Sequence, residues 1–258
     1  MSLMVERTSS LTGVILAPNP GPMTLDGTNS YLIGDGGSND IVIVDPGPDD
    51  PGHIDAIMSA GTIKLILITH HHSDHTQASR ELHRRTGASV RAFDSAYCHD
   101  GAPLSEGGLI EAAGVRIRVD ATPGHSPDSV CFFLPDDGDS GSVLSGDTIL
   151  GRGTPVLDPG EGSLAAYLAS IARLRSHGDA TVLPGHGATL PSIQIVCESY
   201  LRHRQERLSN VQAAIDALGR NATIQAITDV VYSDVAESVR FAAEMSVTAQ
   251  LAYLRSIE

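Results

Sequence analysis

The chain has 258 residues, a length that suits one large domain, or a large domain with a small appendage, and excludes a short disulfide scaffold. Hydrophobic residues make up 41% and charged residues 19%, so we expect a packed core and exclude wholesale disorder. The formal net charge of −14 at pH 7 argues against a general nucleic-acid coat or a membrane-surface protein.

The expected location is the cytoplasm, because the sequence has neither an apolar run long enough to span a membrane nor a secretory leader. Its cysteines, Cys98, Cys131 and Cys197, are scattered and form no CxxC pair. We therefore expect neither a disulfide framework nor a thiolate metal site.

Short runs of Val, Ile and Leu alternate with Gly, Pro and Asp from about residue 13 to residue 187, and this alternation predicts an α/β fold. Apolar side chains three and four residues apart predict helices at residues 53–60, 74–86 and 164–176. Strands are expected at residues 13–17, 30–34, 41–45, 65–69, 89–92, 115–121, 130–134, 143–145 and 181–183. Together these elements predict one domain at residues 4–190.

The composition changes after Gly187, and residues 191–258 are predicted to form a helical appendage without strands. Helices are expected at residues 193–218, 223–231 and 244–254, and Arg204 of the first is expected on the surface. The pattern is compatible with three interpretations of this appendage: a helix-turn-helix-like unit, a helical cap or a dimerisation element. The first helix carries an apolar stripe formed by Ile195, Tyr200, Leu201, Leu208, Val211, Ile215 and Leu218.

A cluster of polar residues directly follows one predicted apolar strand. The pattern is HxHxDH, and its potential ligands are His70, His72, Asp74 and His75. Strand alternation sends His70 and His72 to the same side and turns His71 away, so we expect a structural or supporting place for His71. Imidazole and carboxylate groups at a rigid strand end are typical ligands of zinc or a similar divalent metal ion.

Further polar residues occur in matching contexts, each in a glycine-bearing loop after an apolar run: His125, Asp147 and His186. Glycine lets the backbone turn sharply at a strand end, so the next side chain can point inward. One such histidine would be an ordinary loop residue. The ordered set, following the HxHxDH pattern, predicts a shared metal site.

Together these motifs resemble the metallo-β-lactamase fold superfamily over about residues 10 to 190. The resemblance implies a four-layer αββα sandwich with two divalent metal ions, Zn²⁺ being the expected metal, at one edge of the facing sheets. Asp45 matches the superfamily's first acidic motif and is expected to support the ligands from outside the coordination shell. By position, one ion would be held by His70, His72 and His125 and the other by Asp74, His75 and His186, with Asp147 bridging both.

Two strings, at residues 19–32 and 145–151, and the helical tail resemble more narrowly the β-lactamase-like protein 2 group. Members of that group append a winged-helix-like domain, and its animal representative cleaves single-stranded RNA. This chain departs from the pattern at Thr76, often Gly in the superfamily, and it stops at Glu258, which leaves little room for a β-wing. Common class B β-lactamases carry Cys where this chain has Asp147, so an antibiotic-degrading role is not expected.

The predicted function is that of a binuclear metal-dependent hydrolase that uses a metal-bridging hydroxide, with Asp74 and Asp147 as catalytic carboxylates. The group resemblance favours a phosphodiesterase or endoribonuclease on single-stranded RNA, and the alternative is a glyoxalase II-like hydrolase of thioesters or small esters. The expected partner is therefore either an anionic or ester-containing small substrate or single-stranded RNA. No membrane association is expected, and a homodimer is compatible with the sequence. A DNA-associated regulator acting through the tail and di-iron redox chemistry are the remaining alternatives.

Overall fold

The computed structural model describes residues 4–233 and 235–257 and has two β-sheets packed face to face, with helices on their outer sides. The fold is therefore the predicted αββα sandwich. The six-stranded sheet runs in chain order from β1 to β6: Glu6–Arg7, Thr12–Leu16, Asn29–Ile33, Asp40–Val44, Thr62–Leu67 and Ser89–Arg91. The five-stranded sheet has the order β11-β10-β9-β8-β7, with β7 to β11 at Leu109–Ala112, Val115–Ala121, Val130–Leu134, Ser142–Gly146 and Thr181–Pro184.

Helices α1 to α7 are Pro51–Ser59, Ser73–Thr76, Ser79–Thr86, Leu164–Leu174, Ile193–Leu218, Ile224–Val231 and Arg240–Ile257. Several of them begin at a residue whose side chain caps the first turn. The side chains of Asp50, Ser163, Ser192 and Thr223 accept backbone N–H groups at the starts of α1, α4, α5 and α6. None of the helices in the described part of the chain combines the length and hydropathy that crossing a bilayer requires.

Strand alternation divides the apolar side chains between the two faces of each sheet. Val44 and Leu67 of the first sheet meet Phe132 of the second in the central core. Ile43 and Ile66, which directly precede Val44 and Leu67, point to the opposite faces and pack against α1 and α3 on the outer side. This packing fixes both sheets rigidly, so their shared edge can hold side chains in defined positions.

The predicted strands lie within a few residues of the observed ones, but β1 and β7 were missed. Both are edge strands with little buried surface, and Leu109 of β7 is 77% exposed, so their apolar pattern is weak. The predicted helix at residues 74–86 is interrupted between α2 and α3. The break occurs because the N–H of Ala78 donates to the carbonyl of Gly47, a tertiary contact that replaces a helical one.

The C-terminal region is helical, as predicted, and residues 191–233 and 235–257 contain no strand that would form a wing. The predicted appendage ends at Glu258, which lies outside the described residues. The first part of α5 packs through Cys197 and Tyr200 against α4 and the second sheet, whereas Val211 belongs to a small core shared with α6 and α7.

Part of the predicted stripe on α5 was wrong. Ile195 and Leu218 are 65% and 46% exposed. Arg204, expected on the surface, is buried, lies over the ring of Tyr167 and donates to the carbonyl of Pro155. Tyr200, Leu208 and Val211 of the predicted stripe are buried, so its exposed members lie at the two ends of α5.

Candidate metal centre

The predicted ligands all lie at one edge of the sandwich, where strands of both sheets end. The HxHxDH residues follow β5, and the C-terminal ends of β8, β10 and β11 open onto the same edge. The loops after those strands carry His125, Asp147 and His186. Strand direction therefore brings together residues that are far apart in sequence.

The first group of side chains, called cluster 1, consists of His70, His72 and His125. Nδ1 of His72 lies 3.0 Å from Nε2 of His70 and 3.1 Å from Nε2 of His125. His70 is almost fully buried and His125 is buried, whereas the side chain of His72 is 33% exposed. Cluster 1 thus presents three ring nitrogens to one point that solvent reaches from the side of His72.

The second group, called cluster 2, consists of Asp74, His75 and His186. The Nε2 atoms of His75 and His186 are 3.3 Å apart, and Oδ2 of Asp74 lies 3.4 Å and 3.2 Å from them respectively. His75 and His186 are buried, while the side chain of Asp74 is 25% exposed. Only the carboxylate of cluster 2 therefore reaches towards solvent.

Asp147 lies between the two clusters. Its Oδ1 is 3.4 Å from Nε2 of both His75 and His186, and its Oδ2 is 3.7 Å from Nε2 of His125. This close packing depends on Gly185, where a Cβ atom would lie 2.7 Å from Oδ1 of Asp147 and 2.8 Å from the ring of His75. A single carboxylate can thus serve both clusters.

Hydrogen bonds on the outer side of each ring set which nitrogen carries the proton. His125 and His186 donate Nδ1–H to the carbonyls of Val156 and Gly27, at 3.0 Å each. Since a carbonyl can only accept, Nε2 of each ring carries the lone pair when that ring is neutral.

The other rings follow the same rule. His75 donates Nδ1–H to Oδ2 of Asp45 at 2.8 Å, and His72 donates Nε2–H to Oε2 of Glu161 at 3.2 Å. His70 donates Nδ1–H to Oγ1 of Thr69, whose own hydrogen goes to Asp45. In the neutral state, every inward-facing ring nitrogen is consequently an acceptor.

When the rings are neutral, these converging acceptors repel one another, and either a proton or a metal ion between them relieves the repulsion. Ligands bound at 2.0 to 2.1 Å in a tetrahedral site are about 3.3 Å apart, close to the separations within both clusters. Oδ1 of Asp147 is buried and has no hydrogen-bond partner within the described part of the chain. Donor chemistry, spacing and this unpartnered oxygen all fit divalent metal ions, so the seven residues could hold them.

Electrostatics differ between the clusters. Burial disfavours a proton on His75 and His186, but nearby carboxylates, Asp147 among them, raise the pKa of His75 well above its usual value and that of His186 to about 9. Burial lowers the pKa of His70 and of His125, which have fewer carboxylates near them. The field in cluster 2 is therefore strongly negative without metal.

The histidines of cluster 2 in turn change the pKa of the carboxyl groups near them. Burial alone would raise the pKa of Asp74 and Asp147, but the neighbouring His75 and His186 lower it to about 2 for Asp74 and well below the usual range for Asp147. Both side chains are consequently ionised at neutral pH and attract cations.

Several residues that contact the candidate ligands belong to no metal-binding motif. Thr28 is fully buried and donates Oγ1–H to Oδ2 of Asp74 at 3.0 Å, while Nδ2 of Asn19 donates to the same hydroxyl at 2.9 Å. Both residues belong to the string at 19–32, but nothing in their spacing points to Asp74. Glu161 also lies outside every motif and contacts His71 and His72.

Two loops flank the opening of the centre. An ion pair between Arg152 and Asp26 joins the loop after β10 to the loop before β3, with Nη1 and Oδ2 2.6 Å apart. Leu25 lies near Gly187, directly after His186. The groups of potential metal ligands in the described part of the chain consist of histidine, aspartate and glutamate side chains.

Comparison with known proteins matches this geometry to one family. The model described as the metallo-beta-lactamase superfamily matches residues 23–186, a segment that contains all seven candidate ligands. A crystal structure of a metallo-beta-lactamase family protein from Thermus thermophilus has a TM-score of 0.78 and 23% identity, covering 95% of this chain and 93% of that one. At that identity the likeness establishes the fold.

Fungal proteins are among the proteins with similar sequences. The lactamase-like protein ptaB of Pestalotiopsis fici is 28% identical over 92% of this chain and 77% of its own length. The atrochrysone carboxyl ACP thioesterase nsrC of Aspergillus novofumigatus is 30% identical over 85% of this chain and 67% of its own length. For other fungal lactamase-like relatives, the match covers 57% to 66% of their length.

Proposed function

The chain belongs to the metallo-β-lactamase superfamily, and we propose that it is a binuclear metal-dependent hydrolase that cleaves thioesters or small esters. The observation that carries this proposal is the position of Asp147 between two groups of inward-facing ligands, each with the spacing of a metal site. His70, His72 and His125 would hold one ion, and Asp74, His75 and His186 the other. Asp147 would contact both, and Zn²⁺ is the metal we propose.

Divalent ions bound there would supply activated water at neutral pH and would polarise the scissile carbonyl. A carboxylate of the chain would then accept the proton of that water. Oδ2 of Asp74 is oriented by Thr28, and the partly exposed carboxylate can accept a proton from the attacking water. Water oxygen adds to the carbonyl carbon, the carbon–sulfur or carbon–oxygen bond breaks, and the proton leaves with the thiol or alcohol.

Two observations favour thioesters over RNA, the substrate that the sequence motifs favoured. One relative is named as an ACP thioesterase. The opening is also unsuited to a polyanion, since the half-exposed carboxylate of Glu161 lies beside His72 in a chain with a net charge of −14.

Exposed apolar side chains occur in two loops that approach the centre and would suit an acyl or aromatic group instead. Met23, 46% exposed, lies four residues before Gly27, whose carbonyl accepts the hydrogen bond of His186. Phe93, 36% exposed, lies four residues before Tyr97, whose ring is 6.0 Å from that of His71. A neutral substrate bound at the centre would be able to bury such side chains.

A substrate panel tests the proposal. Zinc-loaded protein would be given acyl-pantetheine and acyl-CoA thioesters, nitrophenyl esters, single-stranded RNA and a chromogenic β-lactam, alongside Asp147→Asn and the exposed control Asp139→Asn. We expect thioester cleavage that Asp147→Asn abolishes and Asp139→Asn preserves. Cleavage of RNA alone would assign the phosphodiesterase function, and no cleavage of any substrate by metal-loaded protein would overturn the hydrolase proposal.

A further inference from the structure

Glu161 lies in the loop before α4, at the opening of the centre. Its Oε2 is 3.2 Å from Nε2 of His72 and 3.2 Å from Nε2 of His71. Since Nδ1 of His72 faces His70 and His125, Glu161 contacts the outer nitrogen of a ring whose other nitrogen belongs to cluster 1.

The backbone near Glu161 is seated against the segment that carries His125. Ser163 donates its N–H to the carbonyl of Gly124 at 2.9 Å. At Gly162, a Cβ atom would lie 2.7 Å from that carbonyl oxygen and 3.2 Å from the carbonyl oxygen of His125, so only glycine allows this approach. The position of Glu161 relative to cluster 1 is thus set by main-chain packing.

A second imidazole holds the carboxylate from the other side. His71 has Nδ1 2.7 Å from Oδ1 of Asp128, whose side chain is 7% exposed, and Nε2 beside Glu161. Asp128 also accepts a hydrogen bond from Oγ of Ser126 at 2.7 Å. The contacts therefore form a continuous path from the buried Asp128 through His71 and Glu161 to His72.

This arrangement parallels the one in cluster 2. There, Asp45 accepts the outer N–H of His75, while His186 donates to a backbone carbonyl. Each cluster thus has one histidine whose outer nitrogen faces a carboxylate. A carboxylate in this place fixes the tautomer and orientation of a ligating ring and increases its basicity.

We propose that Glu161 is a positioning residue that keeps Nδ1 of His72 turned towards the centre and raises the metal affinity of cluster 1. His71 and Asp128 act through Glu161 by holding its carboxylate in place. The inference rests on the proposed metal centre and adds a residue that no sequence motif identifies.

Stepwise Zn²⁺ titration against a competing chelator tests this role. Glu161→Ala is expected to weaken one of the two binding steps about 10- to 100-fold and to leave the other unchanged. Glu161→Gln, whose amide oxygen can still accept from His72, is expected to lose less. Glu111→Gln removes an exposed carboxylate from β7 and is expected to match the wild type.

The outcomes separate this inference from the proposed function. Thermal unfolding of the metal-free variants checks that the fold is retained. Suppose that the wild type binds zinc. If Glu161→Ala then binds both ions as tightly as the wild type does, or loses affinity for both ions by the same factor, the role of Glu161 is overturned and the proposed function is not. A wild type that binds no metal overturns both proposals.

Discussion

The buried carboxylate of Asp45 accepts a hydrogen bond from Nδ1 of His75 at 2.8 Å, and the backbone of Asp45 is left-handed, with a φ of 52°. The same carboxylate accepts the N–H of Thr69 at 2.8 Å and its hydroxyl at 2.7 Å. One side chain therefore connects the ends of β4 and β5 to cluster 2. These hydrogen bonds hold Asp45 in its left-handed backbone conformation.

Asp45→Asn should destabilise the metal-free protein. All three donors now point at carboxylate oxygens, and an amide would turn its own N–H groups towards at least one of them. Breaking a buried charged network of this kind costs about 3 kcal/mol in the free energy of unfolding. Urea denaturation measures it, with the exposed Asp49→Asn as control; equal stability of the two variants would contradict the structural role.

Thr28→Val should weaken metal binding by cluster 2 and should also cost about 1–3 kcal/mol in the free energy of unfolding, because Nδ2 of Asn19 loses its acceptor as well. Valine has nearly the shape of threonine but cannot donate to Asp74, so the carboxylate is no longer held in one orientation. We expect about a 10-fold loss of affinity, the low end for residues that orient ligands. Thr28→Ser retains the hydroxyl and should restore the affinity; a similar loss in both variants would indicate a packing effect instead.

Gly185→Ala should displace Asp147. The added methyl group would lie 2.7 Å from Oδ1 of Asp147 and 2.8 Å from the ring of His75, and both neighbours are buried. Metal affinity of both clusters should fall, because Asp147 contacts each. Gly37→Ala, whose methyl group would meet only the side chain of Asp35 at 3.3 Å, is the matched control in the same zinc titration. An unchanged titration for Gly185→Ala would mean that Asp147 has room to move.

Zinc binding should release protons at pH 7. The pKa of His75 lies well above its usual value and that of His186 is about 9, so both rings carry protons in the metal-free protein, and a metal ion must displace them. The protonated fraction falls as pH rises, so affinity should increase from pH 7 to pH 9. Calorimetry in buffers of different ionisation enthalpy counts the protons. Binding without proton release and with a flat pH profile would contradict these shifts.

Residues with a strong local pattern could be predicted from the sequence. The alternating runs around Val44 and Leu67 gave the sheets, and HxHxDH with the later His125, Asp147 and His186 gave the residues that the fold brings together. In each case a short stretch of chain carries both the element and the side chain at its end.

Features that depend on distant contacts could not be predicted. Glu161 contacts His72 across 89 positions, and Thr28 contacts Asp74 across 46, so neither pairing leaves a trace in local spacing. The burial of Arg204 arises from the packing of α5 on α4, and the break before α3 arises from one hydrogen bond to Gly47. Tertiary packing decides these positions.

The metal content of the protein decides whether the seven side chains hold two metal ions. The protein would be loaded with zinc, passed over a desalting column and subjected to elemental analysis, together with His125→Ala and His186→Ala. We expect about two ions per chain in the wild type and about one in each variant. A wild type without bound metal, or variants that each retain two ions, would contradict this expectation.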